Sequence, residues 1–297
     1  MLAKDKPFIM PNINEEAKMF EWAGVSFGEE QTYLLNKAVK RLAIMSGASQ
    51  LRFWGKVYGS SKDYWVVEGK LATQEEEKEQ HDQEKRGEGV NAWVYWVTDN
   101  LLEDWVQLPD VKPEQIKVAR MIKHILTGSL NASIDSNPPF PGKERHFLRA
   151  QIARITHASV IIPKGLLEYD EEAQAEKFAE EFSVPATEEL KSMETWGHRH
   201  MMILKAGRIT HAEPVGMSDE DKDAYMAAQA EADAPVDRYR GINEDTPVFA
   251  GMEGGWISKL VGDPQPYNQL PPKDGTTTYA VNVLKSLRWP GALTVSQ

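Results

Sequence analysis

Apolar residues near the start of the chain recur at the three- and four-residue spacing of a buried helix face. This spacing predicts helical structure over residues 14–46. Within that range Ser26 is followed three residues later by Glu29, which is the signature of a helix N-terminus. Gly47 follows the last periodic residue, in the position of a C-terminal cap. The predicted buried stripe consists of Leu35, Ala38, Val39, Leu42 and Ala43.

Residues 51–71 contain two runs rich in β-branched and aromatic residues around a turn-prone Ser-Ser-Lys-Asp sequence, which predicts a β-hairpin. In a regular strand Phe53 and Val57 share one face, and Trp54 and Tyr58 share the other. Because both faces are apolar, we expect the sheet to be covered on both sides.

Three further apolar stretches predict strands at 92–98, 147–162 and 279–284. The second of these is open to another interpretation, because residues 148–153 are also compatible with a helix. We expect these strands to join the 51–71 hairpin in the body of one sheet.

A helix is predicted from Pro113 to about Leu126, since proline is well tolerated in a first helical turn. Gly128 follows as its end. The proline-rich segment 137–142 predicts a non-helical corner. The buried stripe of the helix would consist of Ile116, Ala119, Ile122 and Leu126.

Three acidic segments interrupt the apolar pattern, at 73–89, 168–181 and 213–237. The first has nothing apolar to bury, so we expect it to lack a packed core. The second is predicted to include a short helix, and an apolar piece at 196–209 separates it from the third. The stripe of the short helix would consist of Ala175, Phe178 and Phe182.

The pattern as a whole predicts an α+β fold, in which N-terminal helices precede a mixed or antiparallel sheet core with packed helices and acidic surface inserts. The predicted organisation has four segments. They are an N-terminal helical segment at 1–50, an α+β core at 51–167, acidic and partly irregular excursions at 168–247, and a C-terminal return to the core sheet at 248–297.

The net charge of the chain is −11, from 34 basic and 45 acidic residues. Nucleic acids and anionic membrane surfaces are bound through basic faces, so this charge argues against both as partners. The chain has no cysteine, which excludes disulfide frameworks and thiolate metal sites. No apolar run approaches the length of a membrane span, and the N-terminus has no signal-peptide core. We therefore expect a cytosolic location.

The best candidate for catalytic chemistry is a histidine cluster. His198 and His200 would project from the same side of a strand, and His211 follows nearby in sequence. This cluster leaves a metal-dependent hydrolase open as the alternative function. Hydrogen-bonded or surface histidines are the more common meaning of such a pattern, and no nucleophile elbow or phosphate-binding loop accompanies it.

Tryptophan is abundant, with nine residues, and it can pack inside a core or anchor a partner protein. Trp65, Trp105 and Trp289 are our candidate interface residues. Packing in the core is the interpretation for Trp54, Trp93 and Trp96.

Two arginines, Arg149 and Arg154, lie five positions apart. If they belong to a strand they point to opposite faces, one internal and paired and the other available to a partner. Both are therefore candidate interface residues, although two ordinary solvated arginines would fit equally well.

Taken in order, several aromatic- and glycine-rich motifs resemble the radial spoke head proteins of the 4/6 type. The similarity extends over most of the chain and is densest from about 51 to 167. The segment 161–165 also resembles the type 9 spoke head protein, so the paralogue stays open. The main matching stretches are Leu51–Gly59, Gly89–Asn91, Leu108–Val111, Pro138–Glu144, Leu148–Ile155 and Trp289–Ala292.

This resemblance implies a non-enzymatic structural subunit of the radial spoke head in the axoneme of motile cilia and flagella. It implies no catalytic residue, cofactor or metal. The implied partners are a second 4/6-type subunit, a type 9 subunit and spoke stalk proteins, with transient contact to central pair projections. The implied role is to transmit mechanical signals between the central pair apparatus and the dynein arms.

Overall fold

A computed structural model of the chain describes residues 8–71, 84–170, 175–186, 189–200, 203, 205–208, 216, 218–232, 238–252, 254–262 and 280–296. The first predicted acidic segment lies largely outside these residues, as do His211 and parts of the other two acidic segments. Among the described residues, no helix is both long enough and apolar enough to cross a membrane.

Helices and antiparallel strands both contribute to the described structure, which confirms the predicted α+β class. The helices are α1 (Ile13–Trp22), α2 (Glu29–Ser46), α3 (Pro113–Met121), α4 (Glu144–Ser159), α5 (Lys205–Arg208) and α6 (Asp219–Ala232). The strands are β1 (Ala48–Val57), β2 (Tyr64–Leu71), β3 (Val94–Thr98), β4 (Val106–Gln107), β5 (Ile161–Pro163), β6 (Leu167–Asp170), β7 (Ala175–Phe178), β8 (Trp196–His198), β9 (Trp256–Val261), β10 (Val281–Ser286) and β11 (Leu293–Ser296).

The chain divides into two compact units, each assembled from separate stretches of sequence. The first unit comprises Met1–Ile13, Glu30–Arg154 and Met201–Val236. The second comprises Asn14–Glu29, Ile155–His200 and Asp237–Gln297. The four linear segments expected from the sequence stay a prediction.

The first unit is built on a four-stranded antiparallel sheet in the order β1-β2-β3-β4. Strands β1 and β2 form the predicted hairpin, with Val57 opposite Tyr64. Both faces of β2 and β3 are buried, so the expected two-sided burial is confirmed. One face packs with residues of α2, including Leu35 and Val39, and the other packs with residues of α3 and α4, including Ile116 and Leu148.

Strand β1 contains a bulge that changes which of its side chains share a face. The pairing shifts between Phe53 and Gly55, so that Trp54 is the extra residue. Trp54 and Val57 consequently pack on the face that α3 and α4 cover, whereas Phe53 packs on the face that α2 covers. The sequence prediction, which placed Val57 with Phe53, was wrong because it assumed strict alternation.

The predicted strand at 147–162 is mainly a helix, because α4 occupies Glu144–Ser159 and only the short β5 follows. Buried positions along α4 include Phe147, Leu148, Ala150, Ile152 and Ala153. Burial on so many sides removes the one-sided pattern that identifies a surface helix. The helical alternative, left open for residues 148–153, is the one the structure confirms.

The helix predicted from Pro113 to Leu126 is shorter than expected. It ends at Met121, and Ile122 has an extended backbone conformation. Farther along, the Leu126 carbonyl accepts a hydrogen bond from the Ser60 amide at 2.8 Å. Gly128 then passes close to the hairpin loop, where a Cβ atom would lie 2.6 Å from the Lys62 carbonyl oxygen. A backbone hydrogen bond to the hairpin loop is therefore present where a longer helix was expected.

The predicted helical stretch 14–46 is interrupted between α1 and α2. Gly24 and Gly28 have φ values of 76° and 82°, which L-residues with side chains rarely adopt. The Gly28 amide donates to the Ser26 hydroxyl at 2.9 Å just before α2 begins. The start signal at Ser26 and Glu29 thus marks a real helix start, and Gly47 follows the end of α2 as predicted.

The second unit contains a three-stranded antiparallel sheet in the order β11-β10-β9 and two smaller strand pairs, β5 with β8 and β6 with β7. Strand β10 is the strand predicted at 279–284, but it belongs to this sheet and not to the sheet of the hairpin. The short helix predicted within 168–181 is not what the described residues form, because Leu167–Asp170 and Ala175–Phe178 pair as β6 and β7. The main core cluster of this unit consists of Ile161, Leu190, Trp196, Ile242, Trp256 and Leu284.

Candidate functional site

A buried carboxylate, Glu144, organises the first unit at the start of α4. Its Oε1 accepts from the Tyr64 hydroxyl at 2.8 Å and from the Gly128 amide at 2.9 Å. Its Oε2 accepts from the amide and the hydroxyl of Thr127 at 2.9 and 2.8 Å. Burial alone would raise the pKa of Glu144, but these donors outweigh it and lower the pKa. The carboxylate therefore joins the hairpin, the 127–128 segment and α4.

Arg149 lies on α4 and is buried, with 2% exposure. Its Nη2 donates to the Val90 carbonyl at 2.8 Å and to Asn91 Oδ1 at 3.1 Å, and its guanidinium lies 4.4 Å from the Tyr95 ring centre. Burial lowers the pKa of Arg149, and the nearby carboxylates of Asp110, Glu68 and Glu84 oppose that change. This arginine makes its contacts inside the first unit.

Asn91 connects the surroundings of Arg149 to the next loop. Its Nδ2 donates to the carbonyls of Glu84 and Val111, at 3.0 and 3.1 Å, and its Oδ1 accepts from the Val111 amide at 3.0 Å. The side chain is completely buried. Such a fully satisfied amide fixes the relative positions of two loop segments.

Arg154 is half-buried near the end of α4 and also turns inward. Its Nη1 donates to the Ala119 carbonyl at 2.6 Å and to Gln151 Oε1 at 3.0 Å. Burial, together with the charge of Arg120, lowers the pKa of Arg154 to about 10. In the first unit this arginine joins α4 to α3.

The two candidate tryptophans of the first unit differ in exposure. Trp65 is buried in the cluster beneath α2. Trp105 is half-buried, and its indole N–H donates to the Ala38 carbonyl at 3.1 Å. Of the core tryptophans, Trp96 is buried as expected, while Trp54 and Trp93 are half-buried at the edge of their cluster.

Trp289, in the second unit, is half-buried in the turn between β10 and β11. Its amide donates to the Ser286 hydroxyl at 3.2 Å, and its carbonyl accepts from Ala292 at 2.9 Å. The backbone of this turn is therefore fixed, with the indole partly exposed.

Three imidazoles stack in the second unit. The ring of His200 lies 4.5 Å from His157 and 4.4 Å from His198, with interplanar angles of 24° and 15°. His200 Nδ1 is 2.9 Å from the His157 carbonyl oxygen, so Nδ1 carries the hydrogen. Burial, followed by the charges of His157 and His198, lowers the pKa of His200 to about 4. The centre of the stack is therefore neutral near pH 7.

Asp245 is the acceptor that completes this cluster. Its Oδ2 accepts from His198 Nε2 at 2.8 Å and from the Trp256 indole at 2.9 Å, and its Oδ1 accepts from Arg240 at 2.6 Å. Burial alone would raise the pKa of Asp245, but the His198, Trp256 and Arg240 contacts outweigh it and hold the pKa at about 2. An ionised carboxylate thus anchors the stack to β9.

The geometry of the stack does not suit a shared metal ion. A metal binds imidazole in the plane of the ring, and the nearly parallel rings of His198 and His200 do not aim their lone pairs at one point. His198 Nε2 is also occupied by Asp245. In the described ranges, no group of three or more histidine or carboxylate side chains is placed to hold a metal ion. His211 lies outside those ranges.

Comparison with known proteins gives an independent result. The family described as radial spokehead-like protein matches residues 4–86 and 78–297. The chain belongs to this family. Radial spoke head protein 4 homolog A of Homo sapiens is 30% identical over 97% of this chain, and radial spoke head protein 6 homolog A of Mus musculus is 30% identical over 95%. Flagellar radial spoke protein 4 of Chlamydomonas reinhardtii is 29% identical over 96%.

This radial spokehead-like chain is shorter than those relatives. It spans 45% of the human protein, 47% of the mouse protein and 64% of the Chlamydomonas reinhardtii protein. The relatives carry the names of both type 4 and type 6, so these comparisons leave the paralogue open.

Large apolar side chains are exposed in both units of the spokehead-like chain. In the second unit Phe20 and Trp22 at the end of α1 and Phe27 in the next loop are all more than one third exposed. Exposed aromatic groups of this kind are enriched at protein interfaces. Other strongly exposed apolar side chains are Ile44, Met45, Tyr58, Leu102, Ile125, Phe178, Val184 and Phe249.

Two residues that join several elements, Glu144 and Asp245, were not among the candidates that the sequence suggested. Glu144 was quoted only as part of a proline-rich motif, and its partners are 16 to 80 residues away. Asp245 is 47 residues from His198. The local sequence offers one signal for Glu144, which is an acid three residues before the stretch that begins at Phe147.

Proposed function

We propose that this chain is a structural subunit of the radial spoke head in the axoneme of a motile cilium or flagellum. The observation that carries the proposal is the family match across residues 4–86 and 78–297, together with relatives named as radial spoke head proteins. Two carboxylates support it, since Glu144 and Asp245 both accept hydrogen bonds that hold elements together.

We further propose that the subunit passes mechanical load between the central pair apparatus and the dynein arms. Its partners would be a second 4/6-type subunit, a type 9 subunit and spoke stalk proteins. A sheet buried on both faces and tied to α4 through Glu144 suits this role, because close-packed interiors deform little under load.

We propose that assembly uses the exposed aromatic groups of the second unit, with Trp289 and the half-buried Trp105 as additional contacts. Permanent assemblies bury roughly 2,000 Å² or more, and their centres are rich in aromatic side chains. Arg149 and Trp65 would support this interface only indirectly, because both are buried within the first unit.

The test of location is to tag the chain at its own locus in the motile cell that carries it, and to delete it in a second strain. We expect the tag to stay with axonemes after detergent extraction, and electron tomography of the deletion strain to show missing head density. A tagged cytosolic protein should wash out in the same extraction. Release of the tagged chain with detergent, combined with complete spoke heads in the deletion strain, would contradict the proposal.

The test of the interface is a double variant, Phe20→Ser with Phe27→Ser. We expect it to fold but to recover fewer spoke head proteins when the tagged chain is purified from axonemes. Lys18→Ser, an exposed polar change on the same helix, is the matched control. Equal recovery from all three proteins would exclude this surface as a contact.

A further inference from the structure

A cleft of about 400 Å³ in the first unit has a composition opposite to that of the chain. Three cationic residues, Arg86, Lys143 and Arg145, line it together with His146, and none of the described residues that line it is acidic. The chain as a whole carries a net charge of −11. A concentration of cations in such a chain makes this cleft a local attractor for anions.

The positive charge in the cleft is only partly compensated. Arg86 pairs with Asp110 at 3.0 Å. Lys143 is exposed and forms no ion pair with any described residue, and Arg145 donates to neutral oxygens of Leu130 and Asn131. Two cations at the mouth of the cleft therefore face solvent or neutral partners.

His146 reports the resulting electrostatic environment. Burial lowers its pKa, and the positive charges of Arg145, Lys112 and Lys143 lower it further. A hydrogen bond from the Lys143 amide to His146 Nδ1, at 3.1 Å, leaves the ring as an acceptor on that side. The charges acting on this imidazole are cationic, so a carboxylate entering the cleft would meet an attractive field.

The amide groups at the start of α4 do not supply this attraction. The Glu144 amide donates to the Ala132 carbonyl at 3.0 Å, and the Arg145 amide donates to the Leu130 carbonyl at 3.1 Å. These bonds use the free donors of the helix N-terminus within the chain. An anion in the cleft would therefore bind to the side chains that line it and not to the amides of the helix.

The cleft also includes the edge of the first sheet. Gln107 lines it and belongs to β4, the last strand in the order β1-β2-β3-β4. Within the described ranges no strand pairs with the outer side of β4, and both of its residues are exposed. An open edge accepts an extended peptide as an additional strand, which a small free anion cannot exploit.

We infer that this cleft binds an acidic, extended segment of a partner protein, which pairs along β4 and places carboxylates beside Lys143 and Arg145. The inference rests on the proposed function, because it identifies one contact through which the subunit would join its neighbours. Binding is a property of the isolated chain, so its outcome is separate from that of the localisation experiment.

The probe is a fluorescent peptide of alternating Glu and Thr, measured by anisotropy with the full chain at ~0.15 M salt, where the screening length is about 8 Å. A peptide of alternating Gln and Thr is the uncharged counterpart. We expect saturable binding of the acidic peptide, weakening as salt rises, and much weaker binding of the Gln peptide. Lack of binding, or equal binding of both peptides, would overturn the inference.

The variant Lys143→Glu reverses one free charge at the cleft. Lys40→Glu makes the same change of net charge on α2, which covers the other face of the sheet, and it is the matched control. We expect the dissociation constant to rise about tenfold for Lys143→Glu and less than about twofold for Lys40→Glu. Equal weakening in both variants would indicate only a net-charge effect and would contradict a specific site.

A second measurement needs no variant. A carbodiimide activates a carboxylate of the bound peptide, a neighbouring lysine amine displaces it to form an amide, and the carbodiimide leaves as a urea. Mass spectrometry of the wild-type chain should find the peptide on Lys143 in preference to exposed lysines elsewhere, such as Lys40. Coupling that is spread evenly over exposed lysines would count against the cleft, as would competition by free phosphate alone.

Discussion

Each unit contains a carboxylate that holds several elements together, Glu144 fully buried and Asp245 half-buried, and the two are bound by different kinds of donor. Glu144 in the first unit is surrounded by hydroxyl and amide donors that do not titrate near neutral pH. Asp245 in the second unit is bound by a histidine, an arginine and an indole. Uncharged donors make the first site insensitive to mild acid, whereas imidazoles make the second unit sensitive to it.

The largest expected effect on stability comes from replacing the Glu144 carboxylate in the first unit. Glu144→Gln replaces one acceptor oxygen by an amino group that faces donors from Thr127 or Gly128, so buried donors lose their partner. We expect a loss of about 3–5 kcal/mol in the free energy of unfolding, as when a buried polar network is broken. The free energy of unfolding is measured by urea unfolding, and the hydrogen exchange of the β1–β3 amides is the readout.

The control for this change is Glu114→Gln, an exposed acid in the first turn of α3. It should alter the same free energy by less than about 0.5 kcal/mol. A loss below about 1 kcal/mol for Glu144→Gln would show that the four hydrogen bonds do not organise the unit.

The next effect concerns pH and the second unit. Because His200 has a pKa of about 4 in the folded chain and about 6.5 when unfolded, the unfolded chain binds more protons between these values. Stability is therefore complete above about pH 6.5 and decreases by about 3 kcal/mol as the pH falls towards 4. The measurement is hydrogen exchange of the β9–β11 amides, corrected for intrinsic rates.

His200→Phe should flatten this pH dependence while the β1–β3 amides of the first unit serve as the internal reference. The aromatic ring keeps the stack with His157 and His198 but carries no proton. An unchanged slope in the variant would mean that another group controls the acid response.

Asp245→Asn tests the second carboxylate directly. Its folded pKa of about 2 lies below the ordinary value of 3.8, so its contribution is present above about pH 3.8 and is lost as the pH falls towards 2. This difference corresponds to about 2 kcal/mol, which the variant should lose near pH 7. Glu244→Gln, an exposed neighbour, is the matched control in the same urea experiment.

The smallest expected effect on stability comes from removing one of the four hydrogen-bond donors to Glu144. Tyr64→Phe removes one of four donors to Glu144, so we expect a loss of about 1–2 kcal/mol and a higher pKa for the carboxylate. Tyr58→Phe, at a residue that is 72% exposed, should change almost nothing. A loss as large as that of Glu144→Gln would show that the carboxylate depends on this single hydroxyl.

Sequence patterns predicted the elements whose signals are local. The hairpin at 51–71, the strands near 92–98 and 279–284 and the start of α2 at Glu29 are present in the structure. Periodicity failed where burial on several sides hid the amphipathic pattern, as in α4. It also failed where one inserted residue changed the side-chain alternation, as at Trp54.

Most of the polar sites could not be predicted from the sequence, because folding brings together residues that are far apart along the chain. His198 and His200 were recognised as neighbours, but His157 and Asp245 join them from separate elements. The basic cleft likewise combines Arg86 with Lys143, which lie far apart in sequence. Long-range convergence leaves no spacing for a motif search to detect.

The two-sided burial of β2 and β3 has a consequence for how the hairpin finds its alignment during folding. When both faces of a strand are apolar, a register shift by one residue still buries its side chains. Hydrophobicity alone therefore does not disfavour the shifted register. Glu68 supplies the penalty, because it is buried directly opposite Arg52 and pairs with it. In a misaligned hairpin the Glu68 carboxylate would be buried without its partner. The pair therefore favours the correct alignment.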